Sequence, residues 1–148
     1  MSAEKDYDKK LENFDSSEAI KGKEKHFSEN KYLAKLLKYA KKMGVKISYY
    51  SLLLFYTFKS PETPKSVKVT IAGALGYLIL PLDIVPDFIP VLGFADDLMV
   101  VLYALNKVKG HITDSIKEQA HERMKRIFGV NYDGKNEIDA NLKPQQED

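Results

Sequence analysis

The chain has 148 residues, 44% hydrophobic and 30% charged, with a net charge of +2 and no cysteine. That length supports one domain with tails and a real core, while the lack of cysteine excludes disulfides and thiolate metal sites and fits a reducing compartment. The small total hides segregation that bears on partners more than on fold: residues 1–30 sum to −2, 31–68 to +8, 69–106 to −4, 107–130 to +3 and 131–148 to −3.

Residues 1–27 are polar, with scattered apolar positions at Tyr7, Leu11, Phe14, Ala19 and Ile20. This composition predicts a weakly ordered or loosely helical arm. The charged start Met1-Ser2-Ala3-Glu4-Lys5-Asp6 lacks the apolar stretch of a secretory signal, so an intracellular, non-secreted protein is expected.

Ser28 is a natural helix cap, with Glu29 favourable in the first turn. Leu33, Leu36, Leu37, Ala40, Met43, Ile47, Ser51, Leu54 and Phe58 then recur at helical steps. They predict one face sustained for about seven turns, with Gly44 as a break or kink and Pro61 and Pro64 as its end. Thr63-Pro64 reads as cap and first residue of a second helix, running to Leu80. Its small residues Ala72, Gly73, Ala74 and Gly76 would permit close approach of another helix. Pro81 is expected to stop it.

From Pro81 to Asp97 three prolines, one glycine and four aspartates sit among apolar residues. Leu80, Val85 and Ile89 each precede proline and are biased toward extended backbone. A further helix is expected from Gly93 or Phe94 to Lys109, with Asp96 and Asp97 in its first turn and Leu98, Val101, Leu102, Leu105 and Val108 on its face. Gly110 would end it. Ile112, Ile116, Ala120, Met124 and Ile127 mark a last amphipathic helix over 111–128, stopped by Gly129.

The predicted fold is therefore all-α: a bundle of four to five helices over residues 28–130, packed around the 64–80 helix, with a disordered polar tail at 131–148. The 81–93 loop would cross one end of the bundle.

The stretch Ala74–Asp97 resembles the core of the YkvA family, small helical proteins of unknown function. The family pattern is an aromatic-bearing helix, Pro-x-Asp-x-x-Pro-Asp-x-x-Pro, then Gly and a double Asp. Tyr77, Pro81, Asp83, Pro86, Asp87, Pro90, Gly93, Asp96 and Asp97 match it. The likeness spans roughly residues 50–106, with Ser60 where an Asp is more usual. It implies membrane association, as members are often described, and carries no catalytic residue set.

Three chemical readings follow. Asp83 and Asp87 suit a structural role as acceptors for loop amides, with Asp96 or Asp97 complementing a helix N-terminus and Pro81, Pro86, Pro90 and Gly93 shaping the backbone. The alternative is a hard cation held by Asp83, Asp87, Asp96 and Asp97, although the spacing matches no calcium loop. No cofactor is called for, and no nucleophile completes a catalytic site, so a non-enzymatic module is expected. His26, His111 and His121 read as surface or helix-end residues.

Lys31, Lys35, Lys38, Lys42 and Lys46 step around one helical face, and no acid lies between residues 31 and 46. Such a face is what an anionic membrane surface attracts. Nucleic acid is disfavoured, because no arginine precedes Arg123 and no base-reading motif is present. The uncharged stretches 47–58 and 69–82 are shorter than the roughly 18–20 residues a spanning helix needs. The expected partner is an anionic membrane or a membrane protein on its cytoplasmic side, with the 47–58 aromatics adding apolar contact. A soluble homodimeric scaffold packed through those aromatics is the alternative.

Overall fold

A computed structural model describes the backbone of residues 15–84, 90–129 and 132, and the side chains of these residues except 80–84 and 90–96. Among the described residues all regular structure is helical. A short α1 (Ser16–Ala19) and a 3-10 turn (Lys23–His26) precede α2 (Glu29–Lys59), α3 (Lys65–Ile84), α4 (Pro90–Val108) and α5 (Asp114–Phe128). A second 3-10 turn (Lys109–His111) joins the last two.

The main departure from expectation lies in α2. Gly44 has φ 92° and ψ 168°, a conformation that residues with a Cβ essentially do not adopt. The chain reverses there. A continuous helix would hold Tyr32 and Ser51 roughly 28 Å apart, yet the Tyr32 hydroxyl is 2.6 Å from Ser51 Oγ. Lys59 Nζ lies 3.4 Å from Glu29 Oε1, the Tyr32 and Phe55 rings are 5.1 Å apart, and Phe27, just ahead of the helix, meets Phe58 at 5.0 Å. So α2 is an antiparallel hairpin with limbs 29–43 and 45–59, and Gly44 is the turn.

Most of the expected face is buried, Leu36, Ala40, Met43, Ile47, Ser51 and Leu54 included, but in the first limb it is rotated slightly toward Tyr32 and Lys35 and away from Leu37. In the first limb the buried residues are Tyr32, Lys35, Leu36, Ala40 and Met43, while Leu37 is 64% exposed. In the second limb every residue from Ile47 to Phe55 is buried. Burial on all sides is possible because α3, α4 and α5 each pack against α2. The hairpin, not the 64–80 helix, is the centre of the bundle.

Its buried hydroxyls are satisfied locally. Ser51 Oγ donates to the Ser48 carbonyl at 3.0 Å and Thr57 Oγ1 to that of Leu53 at 2.7 Å. Because the single Ser51 proton is committed to Ser48, the Tyr32 hydroxyl is the donor in its bond to Ser51. Thr63 does not cap α3 as expected. Its hydroxyl donates to the Thr57 carbonyl at 2.6 Å, which also accepts from the Ser60 amide at the end of α2.

Residues 15–27 are seated on the bundle. Asp15 caps α1, accepting from the Ser17 and Glu18 amides. The Ser17 hydroxyl first, and then the Glu18 amide, hold its carboxyl below the usual value. The 3-10 turn lies against α3, where a Cβ at Gly76 would strike the Lys23 carbonyl and one at Gly73 would come within 3.0 Å of the Ile20 carbonyl. The small residues of α3 thus admit the N-terminal segment rather than another long helix.

Pro81 does not stop α3, which continues to Ile84. Proline removes one backbone donor, and the turns on either side carry the helix through. Next, α4 begins at Pro90, earlier than expected, with proline at the first helical position, where its missing N–H costs nothing. The last helix starts three residues later than expected, where Thr113 Oγ1 accepts from the Ile116 amide at 3.2 Å, but its stripe is as read: Ile116, Ala120 and Met124 are buried, and Gly129 closes it with φ 74°.

Candidate functional site

The predicted basic face divides in two. Lys31, Lys38, Lys42 and Lys46 are exposed, as is Lys41. Lys35 is not part of that surface. Its side chain is 4% exposed, and its Nζ lies 3.8 Å from Oδ2 of Asp97, which is 1% exposed. At that separation the contact is ionic rather than a hydrogen bond. Burial of Lys35 follows from the hairpin, which turns that side of the first limb toward the bundle.

Asp97 is the only aspartate of the signature whose side chain is described. The early start of α4 leaves no acid in its first turn, so neither Asp96 nor Asp97 occupies the expected capping position. Asp97 neutralises Lys35 instead. Asp83, Gly93 and Asp96 have helical backbone, as does Pro81. Pro86 and Asp87 lie outside the described residues, and so do the side chains of Asp83 and Asp96. The reading of these aspartates as loop acceptors, or as ligands of a cation, falls there too. Among the described residues no cluster of three metal-ligating side chains occurs.

The exposed lysines gather at the turn end of the hairpin. Lys38, Lys41 and Lys42 occupy the last two turns of the first limb, and Lys46 the first turn of the second. Lys38 and Lys42 lie 5.3 and 5.9 Å from the centre of the Tyr39 ring, which steadies them by cation–π attraction. Two apolar side chains share this end: Leu37, 64% exposed, and Val45, 37% exposed. The spacing of Leu37 fits the apolar stripe, yet Leu37 stands outside it, while Leu36, Ala40 and Met43 are buried.

The aromatic stretch offers no comparable surface. Tyr49, Tyr50 and Phe55 are buried, with Tyr56 and Phe58 partly so. Its apolar groups form the core that a membrane or a second chain was expected to meet. Among the described residues no helix is long and apolar enough to cross a membrane.

A second polar cluster joins α2 to α5. His121 Nε2 is 2.9 Å from the Tyr49 hydroxyl and Nδ1 is 2.6 Å from that of Tyr132, while Arg123 Nε donates to Tyr56 at 3.2 Å. His121 is therefore a partly buried bridge, not a surface histidine. With both ring nitrogens of His121 engaged, the cluster braces α5 against the hairpin.

Residues 67–103 match the model of a protein family of unknown function, DUF1232. The chain is similar to that family over α3 and most of α4. No curated protein matches it, and no solved structure does. The matched stretch supplies Asp97, whereas Lys35 and the whole basic end of the hairpin lie outside it.

Proposed function

We propose that this protein is a non-enzymatic module that docks on the anionic, cytoplasmic face of a membrane through the turn end of the α2 hairpin. The carrying observation is the set of four exposed lysines at that end, Lys38, Lys41, Lys42 and Lys46, with a fifth, Lys31, exposed at the far end of the same limb and no acid between residues 31 and 46. Each lysine near an anionic leaflet contributes about 1 kcal/mol of attraction, so the set suffices for reversible capture. Lys35 takes no part, being neutralised by Asp97. The Pro81–Asp97 string is YkvA-like, a narrower assignment than the family match, and its Asp97 holds Lys35 of the hairpin.

Co-sedimentation tests the reading. Phosphatidylcholine vesicles containing phosphatidylserine should pellet the protein, pure phosphatidylcholine should not, and added salt should release it, because exposed charges beyond a Debye length are screened. The variant Lys38→Glu, Lys41→Glu, Lys42→Glu should stay in the supernatant with an unchanged melting temperature. Equal binding to both vesicle types, or to neither, would refute the proposal.

A further inference from the structure

Resting on that reading, we infer that the hairpin end enters the lipid interface, with Leu37 and Val45 as the inserted side chains. Leu37 is the most exposed large apolar side chain among the described residues, at 64%, and Val45 shows 37% of its surface. Both stand among cations: Lys38 adjoins Leu37, Lys41 lies one turn further on, and Lys46 adjoins Val45. All fall within two turns of Gly44, about 10 Å along the limb.

This arrangement selects a bilayer over a soluble polyanion. Lysine stems lie along an apolar phase while their ammonium groups reach out to phosphate. A headgroup layer therefore satisfies the lysines and Leu37 together. A polysaccharide or nucleic acid strand answers the charge alone and leaves Leu37 in water. Leu102 on α4, 42% exposed, provides the contrast. Its neighbours one turn away, Leu98, Met99, Leu105 and Asn106, carry no charge.

The chain contains no tryptophan, so Leu37→Trp gives a single reporter at an exposed site. Its emission should shift to the blue and be quenched by brominated lipid when phosphatidylserine vesicles are added. Heparin, the soluble polyanion probe, should leave it unshifted, and Leu102→Trp should not respond to vesicles. Leu37→Ser should weaken vesicle binding about tenfold, from the loss of buried methylenes, while heparin binding and the melting temperature stay as in the parent. A vesicle-bound Leu37→Trp with unshifted emission, or Leu37→Ser binding as tightly as the parent, would overturn the insertion and leave electrostatic docking standing. A parent protein that ignores phosphatidylserine vesicles would overturn both.

Discussion

The two limbs of the α2 hairpin are nearly equal in length and opposite in environment. The first, residues 29–43, buries one side and turns all its lysines but Lys35 outward, whereas the second is buried at every position from Ile47 to Phe55. Lys35 and Lys38 sharpen the contrast. They are three residues apart on the same limb, yet one side chain is 4% exposed and the other belongs to the exposed end. What separates them is a partner. Lys35 meets Asp97, and Lys38 meets solvent and the face of Tyr39. A lysine run thus marks surface only where no acid from another element turns one member inward.

The largest expected effect comes from breaking that partnership. Asp97→Leu should destabilise the protein by about 3–5 kcal/mol, because it removes the carboxylate 3.8 Å from the buried Lys35 ammonium. Lys35→Met should cost a similar amount for the converse reason. Replacing both, Lys35→Met with Asp97→Leu, should recover most of the loss, since a buried pair repays little more than its own desolvation. Urea unfolding of the four proteins measures this as a double-mutant cycle. Two additive, small losses would mean that the two groups do not share a buried site.

The next effect tests the reversal itself. At Gly44 a Cβ would meet nothing within 4 Å, so Gly44→Ala isolates the backbone. It should cost about 1–3 kcal/mol, the usual penalty for a side chain in this region of φ and ψ. A geometric check is independent of stability. The native chain has no cysteine, so spin labels at Glu29→Cys and Lys59→Cys report on these two positions alone. Adjacent limbs place them close together, while an unbroken helix would separate them by roughly 45 Å.

The hairpin was hidden from sequence reasoning for a physical reason. Met43 and Ile47 keep helical spacing across Gly44, and a kink and a reversal leave the same apolar pattern on either side. Only the glycine signals the turn, without its angle. By contrast the stripe of α5 was legible, because Ile116, Ala120 and Met124 are buried together ahead of a terminal glycine, although its start at Asp114 was not. The basic end was legible as charge, but its membership was not. Lys35 leaves it through a contact with a residue 62 positions away, which no local pattern records, and Leu37 joins it because the limb is rotated. The aromatics from Tyr49 to Phe55 looked available to a partner because hydropathy alone does not distinguish a core from an interface.

The smallest effect compares the limbs across their shared polar contact. Burial raises the Tyr32 phenol well above its usual pKa. The folded state thus holds the Tyr32 proton, while the unfolded chain releases it near the ordinary value of 10.0. The sign follows: this contribution is fully present below about pH 10 and is lost progressively as the pH rises above it. Tyr32→Phe should cost about 1 kcal/mol at neutral pH, through the lost hydrogen bond to Ser51. It should also make the alkaline decline of stability shallower, by at most one proton or about 1.4 kcal/mol per pH unit. Urea unfolding of parent and variant between neutral pH and the alkaline limb measures the difference. Parallel curves would mean that Tyr32 ionises in the folded protein as it does in water, and that the limbs part at this end before the molecule unfolds.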